Sequence, residues 1–136
     1  MDPLTFFGFI SSACSIASFL ISSDLKATTQ TVRGFLSKIP ENYRDDISSE
    51  EGLKLVNLLI IDPELLDDLT DDVHNYEKDY RRCLRRGKSP QERDRCDRRA
   101  ERGICETLNR IMDKNEEEIP TEYLRTRWSS HRCVRY

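Results

Sequence analysis

The 136-residue chain predicts an all-α fold, a compact helical bundle of four to six helices in one domain, residues 1–136. Three observations carry this. Charged residues make up 35% of the chain and hydrophobic ones 37%, with only five glycines and five prolines, a balance that suits charged helices better than a sandwich or a disordered tail. Apolar positions recur at steps of three and four, and nothing alternates convincingly with period two. Helix starts are spelled out as a capping side chain followed by proline, at Asp2-Pro3, Asp62-Pro63 and Ser89-Pro90. A chain of this length can bury a core without staples.

The first element spans 3–22, within an apolar head of residues 1–23. Pro3 to Ser23 reads PLTFFGFISSACSIASFLISS, 21 residues without a charge. About 20 residues suffice for a helix to cross a bilayer. Six serines, however, make the segment a poor permanent anchor. Two readings follow: a membrane element that inserts conditionally, or the N-terminal core helix of a small bundle. The second element, 25–38, places Leu25, Val32, Phe35, Leu36 and Ile39 at helical spacing, and Pro40 ends it. After a polar connector, 49–61 carries Leu53, Val56, Leu59 and Ile60 with Leu55, Leu58 and Ile61 beside them, a stripe broad enough to belong at the centre of the core.

The charged hairpin, 63–115, comes next. Leu65, Leu69, Val73, Tyr76, Tyr80, Cys83 and Leu84 form one seam along 63–86, and Cys96, Ala100, Ile104, Leu108 and Ile111 form another along 90–115. Gly87 reads as a left-handed cap and Ser89-Pro90-Gln91-Glu92 as a capping box, so the two helices fold back antiparallel across a short turn. Reflection about that turn sets Cys83 opposite Cys96 and Tyr76 opposite Gly103. A short last helix is expected near 121–129. Tyr123, Leu124, Trp128 and Val134 either dock on the bundle or meet a membrane interface.

Chemistry-bearing patterns are sparse. Cys83 and Cys96 are placed for a cross-hairpin disulfide, for small side chains that let two helices approach, or for a zinc site with His74, Cys105, His131 and Cys133. No C-x₂₋₄-C pair supports the metal. The Met1-Asp2-Pro3 start lacks the positive region of a secretory signal, so a cytoplasmic protein with mostly reduced thiols is expected. Gly87-Lys88-Ser89 lacks the earlier glycine of a phosphate-binding loop, His74 reads as a surface residue and His131 has no assigned partner. No catalytic residue, metal or cofactor is assigned, and the chain reads as a non-enzyme.

Charge is strongly segregated: Glu64 to Glu77 holds six acids and no base, whereas Lys78 to Arg102 holds eleven bases against five acids. Arg81, Arg82, Arg85, Arg86 and Lys88 are the candidates for binding anionic lipid headgroups. Interleaved acids three or four residues away allow a self-neutralising solvated face instead. Nucleic acid is disfavoured, since no base-reading motif or stacking platform accompanies the charge.

Taken together, MDPLTFFGFISSACSIASFLISS and an all-helical body resemble the HeLo-like superfamily of cell-death domains. That group includes the fungal HeLo and HeLo-like domains, the four-helix bundle of the mixed lineage kinase domain-like pseudokinase and bacterial Bell domains. The specific match covers the first 23 residues, an acidic-Pro start before a Gly/Ser/Ala-containing apolar helix. The resemblance implies a defence effector whose N-terminal helix is released from the bundle, oligomerises and acts on membranes under an upstream activating protein. Carried to this chain, the membrane-inserting residues are Leu4, Phe6, Phe7, Phe9, Ile10, Ile16, Phe19, Leu20 and Ile21. The chain departs from the pattern in its lack of an amyloid-like signalling motif and in its more basic hairpin. The contrasting expectation is a non-catalytic adaptor whose helices bind partner helices, with residues 3–22 as permanent core or oligomer interface.

Overall fold

A computed structural model describes residues 3–135; the Asp2 cap lies outside them. Seven α-helices follow in order: α1 Pro3–Ser22, α2 Thr29–Arg33, α3 Glu41–Ser48, α4 Glu50–Ile61, α5 Pro63–Arg86, α6 Pro90–Lys114 and α7 Glu122–Ser130. A 3-10 turn, Leu36–Lys38, lies between α2 and α3, and no strand occurs among the described residues.

The hairpin forms because each end of its helices is satisfied locally. Asp62 accepts the Leu65 N–H at 3.1 Å, and Ser89 accepts the Glu92 N–H at 3.1 Å. The Glu92 carboxylate accepts from the Lys88 N–H at 3.2 Å, one residue before the N–H that a capping box uses. Gly87 departs from expectation, because its φ of −77° and ψ of 112° are extended rather than left-handed. With only Gly87 and Lys88 between α5 and the Ser89 cap, an extended link turns the chain, and the Gly87 N–H still closes the helix on the Cys83 carbonyl at 2.8 Å.

The reflected register holds. Cys83 and Cys96 are disulfide-bonded with their Cα atoms 5.7 Å apart. A Cβ added to Gly103 would sit 2.9 Å from the Tyr76 ring, so the absent side chain is what lets that ring lie on the α6 backbone. The same ring stacks on Phe7 of α1 at 5.9 Å between centroids, and its hydroxyl donates to Glu106 at 2.5 Å. Tyr76 thus joins three helices. Helix α1 packs most extensively on α5, then on α4.

Three elements differ from the sequence pattern. Of 25–38, only Thr29–Arg33 is α-helical. Thr28 accepts the Thr31 N–H and Thr31 accepts the Thr28 N–H, which starts a new helix there, while Leu25 stays 44% exposed. The polar connector contains α3, whose two buried side chains, Tyr43 and Ile47, are too few to show a seam. Helix α4 buries Leu55, Val56 and Leu59, holds Leu53, Leu58 and Ile60 half-buried against the core, and leaves Ile61 79% exposed.

The C-terminal segment is fastened at several points. Thr121 caps α7, and Glu51 of α4 accepts from the Glu122 N–H at 2.6 Å and from Arg125 at 2.9 Å. These donors hold the Glu51 carboxyl below its ordinary range. A second disulfide, Cys105–Cys133, ties the tail to α6, and Arg135 bonds Asn109 and Asp113.

Candidate functional site

Six of the nine residues assigned to membrane insertion, Phe6, Phe7, Phe9, Ile10, Ile16 and Leu20, are fully buried. Leu4 is half-buried, while Phe19 and Ile21 are 38% and 42% exposed. Aromatic neighbours account for much of the burial. Phe9 packs against Tyr123 of α7 at 4.5 Å and Tyr43 of α3 at 6.2 Å, and Phe19 leans on Phe35 at 4.9 Å.

The solvent side of α1 is the unusual feature. It presents Ser11, Ser15, Ser18, Phe19, Ile21 and Ser22, with no charge among them. A water-facing helix side ordinarily carries Lys, Glu or Arg, as α5 and α6 do. Ser11, Ser15 and Ser18 line a groove of about 500 Å³ with Cys14, closed on the α5 side by Thr70, Asp71, Val73, His74 and Glu77. His74 is exposed on α5, as a surface residue should be.

The five headgroup candidates do not form one cluster. Arg81 pairs with Glu77 at 2.9 Å and shares a surface with Arg85, His74 and Lys78. Arg82 and Arg86 face the other way, toward Arg95 and Arg99 of α6, and Lys88 belongs to the turn. Much of the remaining charge is self-neutralised, as in Arg98–Asp94, Arg99–Asp79 and the pairing of Arg110 with Asp68 and Asp72.

Cysteine pairing corrects the expectation of mostly reduced thiols. Four of the five are paired and Cys14 alone is free and buried. That removes four of the six zinc candidates, and among the described residues no three metal-ligating side chains converge. Cys105–Cys133 had no local signal, because 28 positions separate the two and only the docking of α7 unites them.

Arg127 was also missed. Its side chain is among the largest fully buried ones, with 2% exposure. It donates to the Tyr123 hydroxyl at 3.1 Å and lies over that ring at 5.3 Å, while Nε and Nη1 have no hydrogen-bond partner among the described residues. Of the apolar residues expected to dock, Leu124 is buried, Tyr123 and Trp128 are half-buried, and Val134 is 66% exposed. His131, beside Arg127, has its Nδ1 3.7 Å from Glu101. Burial pushes His131 below its ordinary value; Glu101 opposes this and Arg127 reinforces it.

No family model, curated protein or solved structure matches the chain, and nothing links it to the HeLo-like superfamily beyond the residues already quoted.

Proposed function

We propose that the protein is a membrane-targeting helical-bundle effector of the cell-death or defence type, holding α1 in a soluble bundle and inserting it into lipid when several copies assemble. The carrying observation is the charge-free solvent side of α1. Twenty residues long and apolar enough to cross a bilayer, this helix has no ionised group to dehydrate on any described side, so lipid can replace the bundle around it. Burial stabilises the soluble form by roughly 25 cal/mol per Å² of apolar surface, and insertion recovers the same term in hydrocarbon. The two states therefore compete closely, and an activating partner or self-association decides between them. Small serines at 11, 15, 18 and 22 suit close helix contact in an inserted homo-oligomer. Anionic lipids are the proposed targets, with the hairpin arginines contributing attraction. The proposed location is cytoplasmic with conditional membrane association. The two disulfides oppose a reducing interior, and thiol trapping in intact cells decides: five free thiols support the cytoplasm, and one free thiol excludes it.

A second reading has its own support. Six fully buried insertion candidates make α1 the middle of the core, which fits a permanent element of a non-catalytic adaptor that binds partner helices. The two readings separate on a residue that the fold can spare. Ser15→Glu charges the solvent side without entering the core. In the effector this variant keeps wild-type helicity and melting but no longer releases dye from anionic liposomes. Equal leakage by both proteins, or none by the wild type under any trigger, removes the effector reading.

A further inference from the structure

The disulfide-bonded end of the hairpin contains a cleft of about 350 Å³ whose walls combine Arg82 and Arg86 of α5 with Arg95 and Arg99 of α6. The Cys83–Cys96 bridge lies in its lining and holds the two helices in register. Two carboxylates are also there, and both are engaged: Asp79 accepts from Arg99 at 2.9 Å, and Glu92 accepts the Lys88 N–H. Arg82, Arg86 and Arg95 make no ion pair with any described residue, unlike Arg81 and Arg98 on the neighbouring surfaces. Four arginines from two helices thus line one concavity with two carboxylates, a surplus of two positive charges.

A surplus of positive charge lining one concavity attracts an anion to it. Planar guanidinium forks are suited to phosphate oxygens, and a phosphomonoester offers about two negative charges and three acceptors. We infer that this cleft is a binding site for a phosphomonoester or pyrophosphate group, with Arg82, Arg86 and Arg95 as its direct ligands and Arg99 held in place by Asp79. The group comes either from a phosphorylated lipid headgroup or from a soluble phosphate compound. The site relocates the anion contacts, because Arg81 and Arg85 fall outside it and the α6 arginines enter. It deepens the headgroup contacts of the proposed function but does not require α1 to insert.

The test is titration of the full-length oxidised chain with inorganic pyrophosphate by isothermal calorimetry. Two triple variants are compared, Arg82→Gln/Arg86→Gln/Arg95→Gln in the cleft and Lys78→Gln/Arg81→Gln/Arg85→Gln on the opposite surface, each checked for wild-type circular dichroism. Both lose three charges, so a diffuse field weakens both equally. The expected result is at least a tenfold loss for the cleft variant, about 1.4 kcal/mol, and less than about twofold for the control. Equal losses, or no pyrophosphate binding by the wild type, overturn the proposal. Flotation with phosphatidylcholine vesicles with and without a phosphoinositide then separates the sources. Retention that pyrophosphate competes away assigns the headgroup, and retention by neither vesicle with pyrophosphate still bound assigns a soluble phosphate. Failure of the effector reading shows up separately, as leakage indifferent to Ser15→Glu.

Discussion

Helix α1 and the α5–α6 hairpin hold their places by opposite means. Helix α1 carries no charge over its whole length and is held by shape, with eight side chains fully buried and aromatic rings on three sides. The hairpin is intensely charged and buries one seam on each helix, so local devices reinforce it: caps at both N-termini, the Cys83–Cys96 bridge and cross-helix ion pairs such as Arg99–Asp79. The lesson concerns release. An element held mainly by apolar packing can exchange its surroundings for lipid, whereas one held by capping and covalent links stays folded when its neighbour leaves.

This contrast can be broken most severely from the α1 side. Phe7→Ala removes the ring between α1 and Tyr76 and should cost about 3–5 kcal/mol, read as a lowered urea midpoint. Phe9→Glu should unfold the bundle under either functional reading, since Phe9 is fully buried; a charge there cannot discriminate between them. Reduction of both disulfides should lower stability by about 2–4 kcal/mol for each bridge while leaving the α5–α6 helicity largely intact, as measured by urea unfolding with and without reductant. Gly103→Ala should cost about 1–3 kcal/mol, because the new methyl meets the Tyr76 ring, and a compensating Tyr76→Leu should recover part of the loss in a double-mutant cycle.

Smaller effects sharpen the comparison. Phe19→Glu, at a site 38% exposed, should change stability by less than about 1 kcal/mol yet abolish liposome leakage if the α1 surface enters lipid. The smallest is a pH effect. The folded state holds the His131 pKa below 6.5, so the unfolded chain binds more protons around and below that value. Stability contributed by neutral His131 is therefore present above about pH 6.5 and falls as the pH drops through the unfolded value, and His131→Gln should flatten that part of the profile.

How much could be read beforehand varies with the range of the interactions. The hairpin was legible because its signals are local or mirror-related: Asp62-Pro63, Ser89-Pro90, two seams and one tight turn set the register that joins Cys83 to Cys96 and Tyr76 to Gly103. Helix α3 was not, because ENYRDDIS shows only Tyr43 and Ile47 as buried side chains and its helicity depends on docking them. The break in 25–38 was written in Thr28 and Thr31, whose mutual capping outweighed a passable apolar stripe. For the candidate site, the apolar head is legible in the sequence, but which of its residues meet solvent is not, since a helix apolar all round has no pattern from which to choose a face.

By itself, then, the amino-acid sequence determined an all-α bundle, the start and partner of each hairpin helix, and one strongly apolar element without charge. Only the tertiary structure decided that α5 rather than α4 is the main bed of α1, that Cys105 meets Cys133, that Arg127 is buried, and that the basic residues divide between two surfaces, with Arg82, Arg86 and Arg95 gathered in one cleft. The physical reason is range. Capping, periodicity and turn chemistry act over a few residues and are written in order along the chain, whereas a guanidinium's surroundings depend on helices far apart in sequence, whose rotation is set by packing the whole core.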